Sequence, residues 1–173
     1  MADLAAAHVL AHVRPIAGRD GLALREDPSV RIVLLLERRD DPGFQQRVAK
    51  AFGVAPPTKA NTVAKGSASL AWIAPGQWFA LGTYVDARDG VDVSDAYCAL
   101  RLSGPRAAEL LSKSLPVDLS VGAFPVRTCV RTMMGSIPIF LMREADGFLI
   151  LVERSLAHAA WTWLADGANA LSR

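Results

Sequence analysis

Two stretches of this chain follow the same order: an apolar strand, a proline-started helix, then short strands separated by turn residues. The first begins with Arg31-Ile-Val-Leu-Leu-Leu-Glu37, an unbroken apolar run of strand formers of the kind buried on both faces. Asp40-Asp41-Pro42 then offers a cap and a proline at the first helical position. Phe44, Val48, Ala51 and Phe52 fall on one helical face, and Gly53 is a left-handed stop. Leu70 to Ile73 and Trp78 to Leu81 read as two strands joined by the Pro75-Gly76 turn. In the second stretch Cys98, Leu100 and Leu102 alternate with Ala99 and Arg101, which is strand period, and Gly104-Pro105 opens a helix. The helix presents Ala107 or Ala108, Leu111 and Leu115 inwards. Strands follow at Val126 to Met133, around Ile137, Ile139 and Leu141, and at Phe148 to Val152, with turns at Gly135 and Asp146-Gly147. Ser155 caps a last helix carrying Leu156, Ala160, Trp163 and Leu164, with Gly167 past its end.

A strand–helix–strand–strand unit leaves one sheet face bare, so two such units pack together. The expected fold class is α+β, two similar strand–helix–meander modules sharing a core. Residues 1–30 form an N-terminal helix (over 2–13) and an extended connector, residues 31–93 the first module and residues 94–173 the second. Within the first, 53–68 reads as loop, and 82–93 as surface loop or a single helical turn. A chain of 173 residues buries about 70% of its unfolded surface, enough for a real core. Its hydrophobic fraction of 51% and mean hydropathy of +0.24 are high, so either the core is large or a partner covers part of the outside.

The remaining bulk features mainly exclude. Nineteen basic and seventeen acidic residues are interspersed, without the basic run that tracks phosphates, so nucleic acid is not an expected partner. No apolar run reaches the ~20 residues needed to span a bilayer, and Met1-Ala2-Asp3-Leu4 lacks a basic leader, so no membrane partner and a cytoplasmic setting are expected. Cys98 and Cys129 sit in strand-like stretches, where a small buried hydrophobe is the default.

No reacting constellation is visible. There is no Gly-x-Ser-x-Gly, no Gly-x-Gly-x-x-Gly and no phosphate loop, and no histidine neighbours a Ser or Cys nucleophile. His8 and His12 stand four apart, a metal-ligand spacing, but no nearby Cys, Asp or Glu completes a site, and two solvent-facing histidines are the favoured reading. His158 is read as a partly buried polar edge. Asp92, Asp95 and Asp118 form no pair that demands acid–base work. No catalytic, cofactor-binding or metal residue is assigned. The candidates are for an interface: Arg101, Arg127 and Arg131 on expected strands, the last two on one face by period two, as a cationic patch for a carboxylate ligand or an acidic partner. A solvated face beside Asp or Glu is the competing reading. Trp72 and Trp78 flank the Pro75-Gly76 turn. Trp161 and Trp163, two apart, cannot share a helix face, and Trp161 is taken as the one turned to an interface.

Several segments, in this order along the chain, resemble the gamma subunit family of heterotetrameric sarcosine oxidase. They are Gly53-Val-Ala-Pro-Pro-Thr58 with Asn61-Thr62-Val63, Leu70-Ala-Trp72-Ile-Ala-Pro75-Gly-Gln-Trp78, Asp92-Val-Ser94 with the Leu100 to Leu111 segment, and Phe124-Pro125 with Arg127-Thr-Cys-Val-Arg131-Thr132. Val152-Glu-Arg-Ser155 and Trp161 to Leu164 complete the set. The connection between Trp78 and Asp92 is shorter than the family's usual one. The resemblance implies a shortened folate-binding aminomethyltransferase N-terminal domain. It implies a non-catalytic structural subunit of a complex that oxidatively demethylates sarcosine to glycine. It also implies alpha, beta and delta subunits as partners, which carry the FAD, FMN, NAD, tetrahydrofolate and zinc. The alternatives are a stand-alone folate-binding one-carbon protein, the equivalent subunit of a related N-methyl amino acid dehydrogenase, and, more weakly, a zinc enzyme using His8 and His12. An isolated chain that hides its apolar surface by self-association is a further outcome.

Overall fold

The apolar runs become the central strands of two facing sheets. The structure, a computed structural model, describes residues 9–18, 21–85 and 87–171. Its elements are β1 (Ile16–Ala17), β2 (Ala23–Glu26), β3 (Arg31–Leu36), α1 (Phe44–Phe52), β4 (Val63–Lys65), β5 (Ser69–Ala74), β6 (Gln77–Gly82) and β7 (Gly90–Asp92). Then come β8 (Tyr97–Ser103), α2 (Ala107–Ser112), β9 (Cys129–Met134), β10 (Ile137–Arg143), β11 (Gly147–Glu153) and α3 (Ala157–Leu171). Among the described residues one sheet has the order β4-β5-β6-β3-β7 and the other β1-β2-β8-β11-β10-β9, with every pairing antiparallel. In each, a strand is followed by a helix and by a three-strand meander whose last strand returns to pair with the first.

The burial pattern sets the layers. Val33, Leu35, Leu70, Trp78 and Ala80 cover one face of the five-stranded sheet and pack on Phe44, Val48 and Phe52 of α1. Ile32, Ala71, Phe79 and Leu81 cover its other face and meet Ala99, Phe140, Met142, Leu149 and Leu151 of the six-stranded sheet. The outer face of that second sheet, with Leu100, Leu102, Leu141, Ile150 and Val152, packs on Leu110 and Leu111 of α2 and on Ala160, Trp161 and Leu164 of α3. The molecule is therefore α1, sheet, sheet, and α2 with α3, in four layers. Strands apolar on both faces are what this arrangement requires, since each central strand is covered twice.

Several local expectations are corrected. The extended connector contains β1 and β2, and β2 joins the second sheet through β8. The stretch 53–68 contains β4, and 82–93 contains β7, which pairs with β3. Residues 9–12 form turns, while the rest of the expected N-terminal helix lies outside the described residues. Asp41 makes no side-chain cap on α1; its carboxylate is drawn to Arg47, whose NH1 and NH2 donate to it at 2.9 and 2.5 Å. Gly53 does adopt the left-handed stop, with φ 70°.

Gly167 lies inside α3. A Cβ there would come within 2.5 Å of Leu110 Cδ1, so this glycine lets α2 and α3 approach closely. The helix phase shifts accordingly. Ala157, Ala160, Trp161, Leu164, Ala168 and Leu171 form the buried stripe, and Trp163 is the half-buried tryptophan of the pair.

Gly104, before α2, has φ 106°, and a Cβ on it would lie 2.3 Å from Gly21 O. Gly104→Ala is expected to lower stability by about 2–4 kcal/mol, from the strained backbone and the forced separation of the two segments. Gly122→Ala, where a Cβ meets open space, is expected to stay within about 0.5 kcal/mol of the parent. Urea unfolding midpoints of the two variants measure the difference.

Candidate functional site

The space between the sheets determines what side chains can be offered to a partner. Its centre is aromatic: Phe79 of β6 stands edge-on to Phe140 of β10 and to Tyr97 of β8, both with ring centroids 5.5 Å away. Edge-to-face pairs of this kind contribute about 0.5–1.5 kcal/mol each beyond burial. Beside this cluster the two sheets diverge into a groove of about 270 Å³, lined by Tyr97, Arg131, Met133, Pro138, Phe140 and Glu153 among others. Arg131 reaches the groove because it stands opposite Phe140 in the β9–β10 register, and residues paired across strands share a face.

An ion cluster occupies another part of the same sheet. Arg101 of β8 donates Nε–H to Asp27 Oδ2 at 2.5 Å and NH1–H to Glu144. Asp27 is 7% exposed and also accepts from Ser29 Oγ–H at 2.6 Å. Burial raises the Asp27 carboxyl, but the Ser29 and Arg101 hydrogen bonds and the charges of Arg101 and Arg25 outweigh it and hold it below the usual range. Arg101 is thus a positioning cation that ties β8 to the segment after β2 and to the end of β10, and the reading of it as part of an open cationic patch is corrected.

The other expected interface residues separate. Trp78 is 2% exposed and donates Nε1–H to Pro57 O at 2.8 Å, which holds the loop after α1 against the sheet. Trp161 is 6% exposed within the helix-facing core. Neither has a free face. Trp72 is half-buried against the core shared with α1. Arg127 precedes β9 in a turn with φ 69°, so it and Arg131 are not neighbours on one strand face; both are exposed. Residues that sequence reasoning missed are Met133, 43% exposed at the groove, and Val91, 55% exposed on edge strand β7. An exposed methionine two residues before a turn glycine, next to the buried Met134, carries no sequence signal of its own.

The reactive side chains are largely withdrawn. Burial pushes the Cys98 thiol up to about 12, helped by the charge of Glu26 and the bond from Cys98 Sγ to that carboxylate. Burial likewise pushes Cys129 up to about 12, and its Sγ–H donates to Trp72 O at 3.3 Å. A thiol that stays protonated is neither nucleophile nor metal ligand at neutral pH. His12 stacks on His158, with ring centroids 5.8 Å apart, while His8 lies outside the described residues. Among the described residues, no group of three or more His, Cys, Asp or Glu is placed to hold a metal ion.

Two measurements check this description. The folded chain is expected to leave both cysteines unmodified by an aromatic disulfide reagent at about pH 8, whereas the urea-unfolded chain reacts at both. Because the folded Asp27 carboxyl titrates below its unfolded value, its contribution is present above about pH 4 and disappears as pH falls through the folded value. Asp27→Asn is expected to cost about 2–3 kcal/mol at pH 7, since Arg101 loses a charged partner. That difference should shrink as pH falls through the folded value, as read from urea midpoints across the pH series.

The comparisons with known proteins agree with one another. The model of the sarcosine oxidase, gamma subunit family matches residues 38–170. The chain is 31% identical over 188 residues to sarcosine oxidase subunit gamma of Corynebacterium sp. (strain U-96), covering 96% of this chain and 90% of that one. It is 33% identical to the same subunit of Arthrobacter sp., over 57% of this chain and 56% of that one. Its fold superposes with a TM-score of 0.85 and 25% identity on a chain of heterotetrameric sarcosine oxidase from Corynebacterium sp. U-96 solved in complex with pyrrole 2-carboxylate, covering 96% of each. A match that takes in both sheets and all three helices, rather than a single motif, places this chain in the sarcosine oxidase gamma subunit family.

Proposed function

We propose that this chain is the structural subunit of a heterotetrameric sarcosine oxidase, and that it contributes contact surface rather than reacting groups. The observation that carries the reading is the match, over 96% of both chains, to a subunit of such a heterotetramer. The withdrawn thiols and the internally paired Arg101 support the second half of the proposal. On this reading the partners are the alpha, beta and delta subunits. The flavins, NAD, tetrahydrofolate and zinc that accompany sarcosine demethylation reside on those subunits, and the assembly works in the cytoplasm. The helices of the chain fit that setting, since none among the described residues is long and apolar enough to cross a membrane.

The two halves, on the same reading, are similar modules of a shortened folate-binding aminomethyltransferase-like domain. The order β4-β5-β6-β3 in one sheet and β9-β10-β11-β8 in the other supports this: corresponding strands occupy corresponding places.

Co-expression with the candidate alpha, beta and delta subunits tests the proposal. The chain is expected to co-purify with them, and its omission is expected to lower the yield of the oxidase. The isolated chain is expected to form no peroxide from sarcosine and to show no change in tryptophan fluorescence on adding tetrahydrofolate. Turnover by the isolated chain would overturn the structural role, and failure to co-purify would overturn membership of the complex.

A further inference from the structure

β9 is the outer strand of the six-stranded sheet, and among the described residues the backbone pairings on its outer edge lie at the two ends. At the start, Cys129 donates its N–H outwards to Asn61 O at 2.9 Å, and Thr62 forms a bridge with Thr128. A segment of this chain thus already pairs with that edge. At the far end, Gly135 N–H donates to Ser114 O at 3.3 Å. Between them no backbone bond is made on this edge among the described residues. Backbone direction alternates along a strand, so Arg131 and Met133 turn their N–H and C=O outwards as Cys129 does. Pro138, opposite Met133, has no N–H to exchange, which fits a pair whose bonds point away from each other. Neither the Arg131 nor the Met133 N–H has a partner among the described residues.

The open edge lies between two grooves. One is the inter-sheet groove lined by Arg131 and Met133. The other, of about 540 Å³, lies against the start of the strand and is lined by Val117, Phe124, Pro125, Thr128 and Val130 among others. A strand laid on this edge would place alternate side chains in each groove, so backbone bonds supply affinity and the two grooves supply selectivity.

Charge selects the kind of strand. Arg127 and Arg131, before and on the open edge, have no ion pair among the described residues. Lys59 lines the second groove. The carboxylates nearby are Asp118, which accepts from Ser120 N–H at 2.9 Å, and Glu153 on the opposite wall of the first groove. We propose that the free edge of β9, from Val130 to Met134, receives an extended acidic segment of another subunit of the oxidase as an added strand. This rests on the reading of the chain as a subunit of that complex.

Amide hydrogen exchange on the full chain, alone and in the complex assembled by co-expression, tests it. Alone, the Arg131 and Met133 amides are expected to exchange at rates close to those of an open chain, and assembly is expected to slow both on the order of 100-fold. Arg131→Glu is expected to weaken assembly by about tenfold or more, with Arg131→Lys and the distant Arg39→Glu close to the parent. The unfolding midpoint of each variant controls for folding. Assembly without slower exchange at these amides overturns the edge inference and leaves the structural role standing. Failure to assemble at all overturns both. Protection that appears in the isolated chain as its concentration rises assigns the edge to a second copy and overturns the assignment to another subunit.

Discussion

The contact between the two sheets is the constraint on which the rest of the molecule depends. Neither sheet can stand alone, because each has one face covered by helices and another that is apolar and bare until the sheets meet. Phe79 is the pivot of that meeting. It comes from one sheet, contacts rings of the other on two sides, and is 4% exposed. Burying a residue of this size contributes about 1.5–3 kcal/mol from area alone. The meander order follows from the same need. Returning the last strand beside the first places β6 and β11 at the centre of their sheets, and these supply Phe79, Leu81, Leu149 and Leu151 to the shared layer.

The sheets are also tied by polar groups, and these have a different purpose. The Arg101 cluster joins a strand of the second half to Asp27, which lies between β2 and β3, where the chain passes from one sheet to the other. A half-buried guanidinium with two carboxylates adds little stability compared with a hydrophobic replacement, but breaking it by removing one partner is costly. Its effect is to fix where the crossing segment lies. The Asn61–Val63 segment does the same at the opposite edge: Val63 N–H donates to Arg127 O, Asn61 O accepts from Cys129 N–H, and Thr62 bridges Thr128. The first sheet is thus pinned to the second on both sides of the aromatic layer.

How much of this was legible in the sequence depended on length and distance. Strands of six or seven residues with apolar periodicity, such as β3, β8 and β11, could be read directly, and so could the left-handed stop at Gly53. β1, β4 and β7 have two or three residues each, too few to carry a period; they exist because a longer neighbour offers them a register. The role of Arg101 was hidden because Asp27 is 74 residues away and Glu144 is 43. Trp161 and Trp163 were exchanged because a helix taken to stop at Gly167 has a different best-fitting stripe from one that continues to Leu171. The burial of Cys98 and Cys129 was legible from their strand-like setting, and both are buried; the Glu26 carboxylate and Trp72 carbonyl that their sulfurs face are 72 and 57 residues away and were not.

A protein that works by contact has to leave some part of its surface unfinished, and folds of this kind restrict where that can be. Helices cover both outer faces, and the inner faces cover each other, so the remaining backbone groups are at sheet edges. At the β7 edge the strand has three residues and a glycine at its start, where a Cβ would meet Leu34 O at 2.6 Å. At the β1 edge the strand has two. At the β4 edge it has three. Among the described residues only β9, with six residues, offers a length of edge on which alternate side chains can be read, and its Arg131 has no ion pair there, unlike Arg101 and Arg47. An exposed strand of this length is a liability unless it is charged or covered. Arg131 meets the first condition in the isolated chain, since an inward-turned guanidinium disfavours pairing with an identical edge. The same guanidinium would favour an edge bearing carboxylates, so one residue can both discourage self-association and select the partner.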